Sequence, residues 1–120
     1  TNHVYEIAED RSPTPEERSL MQWLLENGTS QAASYLTQLD VLSVTSRCGC
    51  GCASINFCPS SESAIDILSD YQWDTSDGHL CGIFLFARDQ QLAGLETWSI
   101  DGMAKADRLP NIEDLRPISS

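Results

Sequence analysis

The sequence predicts an α+β fold in which an N-terminal helical pair packs on an antiparallel β-meander of about five strands. Three observations lead there. A capped amphipathic stretch spans residues 14–28. The apolar period changes from about 3.6 to about 2 after Asp40. Turn chemistry at Asp77-Gly78 and Asp89-Gln90 then divides the second half into strands. Helical segments followed by hairpin-linked strands form the α+β pattern. At 120 residues the chain is expected to be one domain, with an arm at 1–13, helices at 14–39, a sheet at 41–100 and an irregular tail at 101–120.

The first helix has the clearest local signals. In "TPEERSLMQWLLENG" Thr14 is an N-cap, Pro15 suits the first helical position, Glu17 completes a capping box and Gly28 ends the run. Leu20, Trp23, Leu24 and Met21 form its apolar stripe. A second helix is expected to start at Ser30 and run through "QAASYLTQL", with Ala33, Leu36 and Leu39 facing inward. Strand candidates follow at "VLSVTSRC", "ASINF", "AIDILSDYQWD", "HLCGIFLFA" and "LAGLETWSI". The fourth is apolar on both faces, as a central strand should be.

Turn geometry predicts a register. A two-residue loop at Asp77-Gly78 sets Trp73 opposite Gly82 and Tyr71 opposite Phe84, and one at Asp89-Gln90 sets Leu95 opposite Phe84 and Trp98 opposite Cys81. One face is then Tyr71, Trp73, Phe84, Phe86 and Leu95, the expected core. The other mixes Cys81, Ile83, Leu85, Trp98 and Ile100 with Asp70, Asp74 and Glu96.

The formal charge is −11, from seven basic and eighteen acidic groups. Nucleic acid binding is built from Lys and Arg contacts to phosphates, so that class is excluded as an expectation. No apolar run is long enough for a membrane span, and "TNHVYEIAEDRSPTPEE" lacks the basic and apolar regions of a signal peptide. Five cysteines cannot all pair within one chain. Free thiols and a cytoplasmic location are the simplest expectation.

The cysteine-rich stretch "TSRCGCGCASINFC" is the obvious candidate for chemistry. In a strand Cys48, Cys50 and Cys52 would project to one face about 7 Å apart. Structural zinc favours a two-residue gap within each ligand pair and a second such pair elsewhere. Cys58, Cys81 and His79 do not supply that second pair. The expectation is therefore no cofactor, with zinc at Cys48, Cys50 and Cys52 as the alternative. Apolar parity changes from Leu42 and Val44 to Ile55 and Phe57, so the intervening glycines mark a reversal and the cysteines act as small packed hydrophobes. A nucleophilic thiolate would need a cation or base, for which only Arg47 and His79 are at hand. Asp70 and Asp74 fit a solvated strand face better than an acid/base pair, and no catalytic residue is assigned.

The segments "TPEERSLMQWLLENG", "YLTQLDVLSVTSRCGCGCASINF", "HLCGIFLFARDQQLAGLETWSIDG" and "LPNIEDLRP" together resemble a family of small bacterial proteins with no established activity. Its marks here are the R-C-x-C-G-C motif at Arg47–Cys52 and L-x-x-L-E-x-x-S-x-D-G from Leu92 to Gly102. The resemblance implies a bacterial, cytoplasmic protein and transfers no functional residue.

A protein-binding or self-associating module, immunity- or inhibitor-like in one version, is the function this sequence supports best. Its expected contact residues are Asp70, Asp74, Ile83, Leu85, Glu96, Trp98 and Ile100, an apolar patch rimmed by carboxylates. The partner would be another protein or a second copy in a homodimer, with no membrane involved. A cysteine-centred metal or redox protein and a small-molecule carrier are the alternatives.

Overall fold

A computed structural model describes residues 6–49, 52–57, 63–104 and 106–118. The described residues form an α+β fold with seven antiparallel strands rather than about five: β1 (Glu6–Arg11), β2 (Val44–Cys48), β3 (Ile55–Asn56), β4 (Asp66–Asp74), β5 (Leu80–Arg88), β6 (Gln91–Ser99) and β7 (Arg116–Pro117). Their order across the sheet is β1-β2-β3-β6-β5-β4-β7. The two added strands lie at the edges. β1 occupies the expected arm, where "EIAEDR" is too polar to read as a strand, and pairs with β2. β7 is a two-residue piece of the expected irregular tail. No helix among the described residues is long and apolar enough to cross a membrane.

Helix α1 (Pro15–Glu26) is capped as its sequence dictates. Thr14 Oγ1 accepts from the Glu17 amide at 3.0 Å, and the Glu17 carboxylate accepts from the Thr14 amide at 2.9 Å. Glu17 also takes two hydrogen bonds from Arg11, at 2.9 and 3.2 Å, which tie β1 to the helix start. Burial pushes the Glu17 carboxyl up, but the Arg11 and Thr14 hydrogen bonds outweigh it and hold it below the ordinary range. Leu20, Met21, Leu24 and Leu25 fill the core. Trp23 sits at its margin, edge-on to Tyr71 with ring centroids 4.9 Å apart. Gly28 follows the helix end, where a Cβ would lie 2.2 Å from the Leu68 carbonyl oxygen, so glycine permits β4 to approach.

The second helical segment is a 3-10 helix, Ala32–Val41, not an α-helix. A tighter turn shifts its buried positions to Ala32, Tyr35 and Leu39, and the expected Ala33 is exposed. Gln38 fastens it to the sheet, accepting from the Leu92 amide at 2.8 Å and donating to the Gln90 carbonyl at 3.1 Å.

The largest correction concerns β5. Its connection to β4 is a three-residue loop, Ser76–Gly78, closed by the Thr75 amide on the His79 carbonyl at 2.8 Å, with Gly78 left-handed at φ 84°. Trp73 therefore faces Cys81 instead of Gly82. The β5–β6 loop is the expected Asp89-Gln90 turn, both residues having positive φ, but a bulge between Phe86 and Ala87 shifts the register beyond it. Leu95 thus faces Leu85, and Trp98 faces Gly82. Each slip is one residue, and a one-residue slip exchanges faces. The core face carries Tyr71, Trp73, Cys81, Ile83, Leu85 and Leu95.

Candidate functional site

Opposite the helices, β4, β5 and β6 carry three cross-strand rows on their second face. Gln72, Gly82 and Trp98 form one, Asp70, Phe84 and Glu96 the next, and Ile67, Phe86 and Gly94 the third. Two glycines shape this surface. A Cβ at Gly82 would lie 2.5 Å from Trp98 Nε1, and one at Gly94 would lie 2.5 Å from Phe86 Cζ. Both rings therefore lie flat across a glycine of the neighbouring strand. The device expected for Trp73 is used instead by Trp98 and Phe86.

The seven expected contact residues divide between the two faces. Asp70, Asp74, Glu96, Trp98 and Ile100 share the second face, Ile100 approaching the Gly82 position alongside Trp98. Ile83 and Leu85 do not: both are 0% exposed in the core. Phe84 and Phe86 take their places, their rings 5.7 Å apart. The parity shared by Gly82, Phe84, Phe86, Gly94, Glu96 and Trp98 is the sequence signal that could have found this surface, since glycines beside rings mark where aromatic groups lie down.

The charges on this surface are unequally matched. Asp74 is paired with Arg116 of β7 at 2.9 Å. Phe86 is covered by Arg88, whose guanidinium carbon is 5.5 Å from the ring centroid, and it is only 7% exposed. Asp70 and Glu96, on either side of the partly buried Phe84, form no ion pair among the described residues. Burial pushes both carboxyls above their ordinary range, an effect that the Ser54 hydroxyl partly offsets at Glu96. Trp98 is 42% exposed beside them.

Of the three described cysteines, Cys81 lies apart from the other two. Cys48 closes β2, Cys52 lies in the following turn with its thiol 3.3 Å from Ser54 Oγ, and Cys50 and Cys58 fall outside the described residues. Cys81 is buried on β5, with β3 and β6 between it and β2. Burial, and then the nearby Asp101 and Asp107, push its thiol up, so it stays protonated and a poor nucleophile. No group of three His, Cys, Asp or Glu side chains among the described residues is arranged to hold a metal.

A cleft of about 710 Å³ lies where the β4–β5 loop meets the C-terminal segment, with Trp73, Cys81 and Pro110 among its lining and Asp74, His79 and Arg108 among its polar groups. His79 is 3.5 Å from Asp101. No family model, curated protein or solved structure matches the chain.

Proposed function

We propose that the protein is a non-enzymatic binding module that meets a basic protein partner through the helix-free face of its sheet. The observation that carries this reading is the Asp70–Phe84–Glu96 row beside exposed Trp98, aromatic surface flanked by two carboxylates without a cation among the described residues. An apolar surface set among charges of one sign suits a partner of the other sign. A net charge of −11 would steer such a partner in from a distance. An immunity- or inhibitor-like role against a basic bacterial protein is the specific form of this reading.

A second copy is the less favourable occupant. A two-fold interface lays the same patch on both sides, so the carboxylates of one copy would face a surface that carries the same carboxylates. Like charges brought together at a desolvated interface cost several kcal/mol by general estimates of about that size.

The test is affinity capture from a bacterial lysate with the parent, Trp98→Arg, and an off-face control at exposed Val41, Val41→Ser. All three should show the same circular dichroism. A basic protein retained by the parent and the control but lost by Trp98→Arg is the expected result. Equal retention by Trp98→Arg, or a parent that captures nothing and stays monomeric in light scattering, overturns the reading. The cleft at the β4–β5 loop favours one alternative, a small-molecule carrier. That alternative predicts a ligand-induced rise in melting temperature that Trp98→Arg leaves intact.

A further inference from the structure

We infer that the group the partner brings to this face is an arginine side chain, seated on the Phe84 ring between Asp70 and Glu96. This rests on the reading of the helix-free face as the binding surface, and it names the chemistry at its centre.

Three features of the row point to a guanidinium. Antiparallel neighbours lie about 4.8 Å apart, so Asp70 and Glu96 stand one strand away from Phe84 on each side, their backbones about 10 Å apart. A planar group lying on the ring can reach both carboxylates with donors on opposite edges. Arginine offers five N–H donors in a flat fork and stacks on aromatic faces. Lysine offers one compact, strongly hydrated charge that cannot lie flat or span the row.

The chain itself supplies the precedent. One position along β5, on the same face, Arg88 covers Phe86. Two rows in the other direction, Asp74 is neutralised by Arg116. Between them, Phe84 has no stacked cation and its two flanking carboxylates have no ion-pair partner among the described residues. Burial disfavours the charged forms of Asp70 and Glu96, and an arriving cation reverses that penalty. A ring with an acid on either side on a half-buried surface is where a cation–π contact gains most from partial desolvation.

The test uses the full-length 15N-labelled chain and three capped tripeptides, acetyl-Gly-X-Gly-amide, with X as arginine, lysine or citrulline. Citrulline keeps the planar shape of arginine without the charge. The arginine peptide should shift the backbone amides of residues 70, 84 and 96, and bind at least about tenfold more tightly than the citrulline peptide, a factor worth about 1.4 kcal/mol. Lysine should fall between them. The Asp70→Asn/Glu96→Gln double variant removes one exposed and one partly buried charge and should fold, and it should lose the arginine preference. High salt should weaken binding, because the row is only partly buried.

Equal binding of arginine and lysine, or arginine-induced shifts confined to other residues, overturns the assignment. If those amides stay still while Trp98→Arg abolishes capture of a protein partner, the arginine inference is wrong and the binding face stands. If the peptides leave the face unshifted and Trp98→Arg retains every partner, both are wrong.

Discussion

Replacing Leu85 by Ala tests the facing of β5, on which the description of both sheet faces depends. The turn-derived register would put this side chain on the open face. The structure instead makes it fully buried, opposite Leu95 and Ser69, themselves buried in the core. Removing a leucine from such a position costs its transfer free energy plus a cavity term, together about 3 kcal/mol within a usual range of 2–5. Collapse should be limited, because backbone ladders hold β5 from both sides. For a chain of this size each kcal/mol lowers the melting temperature by about 4 °C, so a fall of about 12 °C is expected. Phe84→Ala is the matched comparison. Its ring is partly exposed and water can occupy the space it leaves, so the expected loss is about 1 kcal/mol. Urea unfolding followed by circular dichroism, with thermal melts alongside, measures both. A Leu85→Ala loss smaller than that of Phe84→Ala refutes the facing.

Thr14→Ala should cost about 1 kcal/mol through loss of the capping hydrogen bond, and a melt matching the parent would contradict the observed cap. Gly82→Ala places a Cβ 2.5 Å from Trp98 Nε1. It should displace the indole at a cost of about 1–3 kcal/mol, seen as a change in tryptophan emission that is absent in the Gly82→Ala/Trp98→Phe double variant. The pH dependence of two glutamate variants should run in opposite directions. The folded state binds the Glu96 proton more tightly than the unfolded chain does, so the parent loses stability as pH rises from the ordinary Glu value through the raised one. Glu96→Gln should therefore be more stable than the parent near pH 7 and equal to it at about pH 3, below both values. Equal melts at both pH values would remove the burial argument. Glu17 has a lowered value, and its contribution is present above the ordinary Glu value and lost as pH falls through the lowered one. Glu17→Gln should be less stable than the parent near neutrality, with the gap closing in acid; a gap that persists unchanged at low pH would mean that its charge is not what matters.

What the amino-acid order determined by itself was local. Thr14, Pro15 and Glu17 specify the start of α1 through contacts spanning four residues, and the structure contains each of those contacts. The Asp89-Gln90 turn was legible for the same reason, and the alternation in β6 and in the later part of β4 correctly set Tyr71, Trp73 and Leu95 inside and Asp70, Glu96 and Trp98 outside; Ile65 and Ile67, which the same alternation set beside Tyr71 and Trp73, are exposed because β4 shifts register between Ile67 and Ser69. The conflict lay in β5, where Cys81, Ile83 and Leu85 compete with Phe84 and Phe86 for the core and hydrophobicity alone cannot rank the two sets. Tertiary structure decided it through one extra loop residue before β5 and one bulge residue opposite its end. Both act on a period of two, so each carries β5 to the opposite face relative to a neighbour. β1 and the 3-10 helix were likewise settled at a distance, the first by the ladder that β2 offers and by the Arg11–Glu17 pair, the second by the hydrogen bonds of Gln38 to the β5–β6 turn. Hydrophobic pattern reports which residues prefer burial. Which of two equally apolar sets is buried depends on backbone register, and register is a property of paired strands.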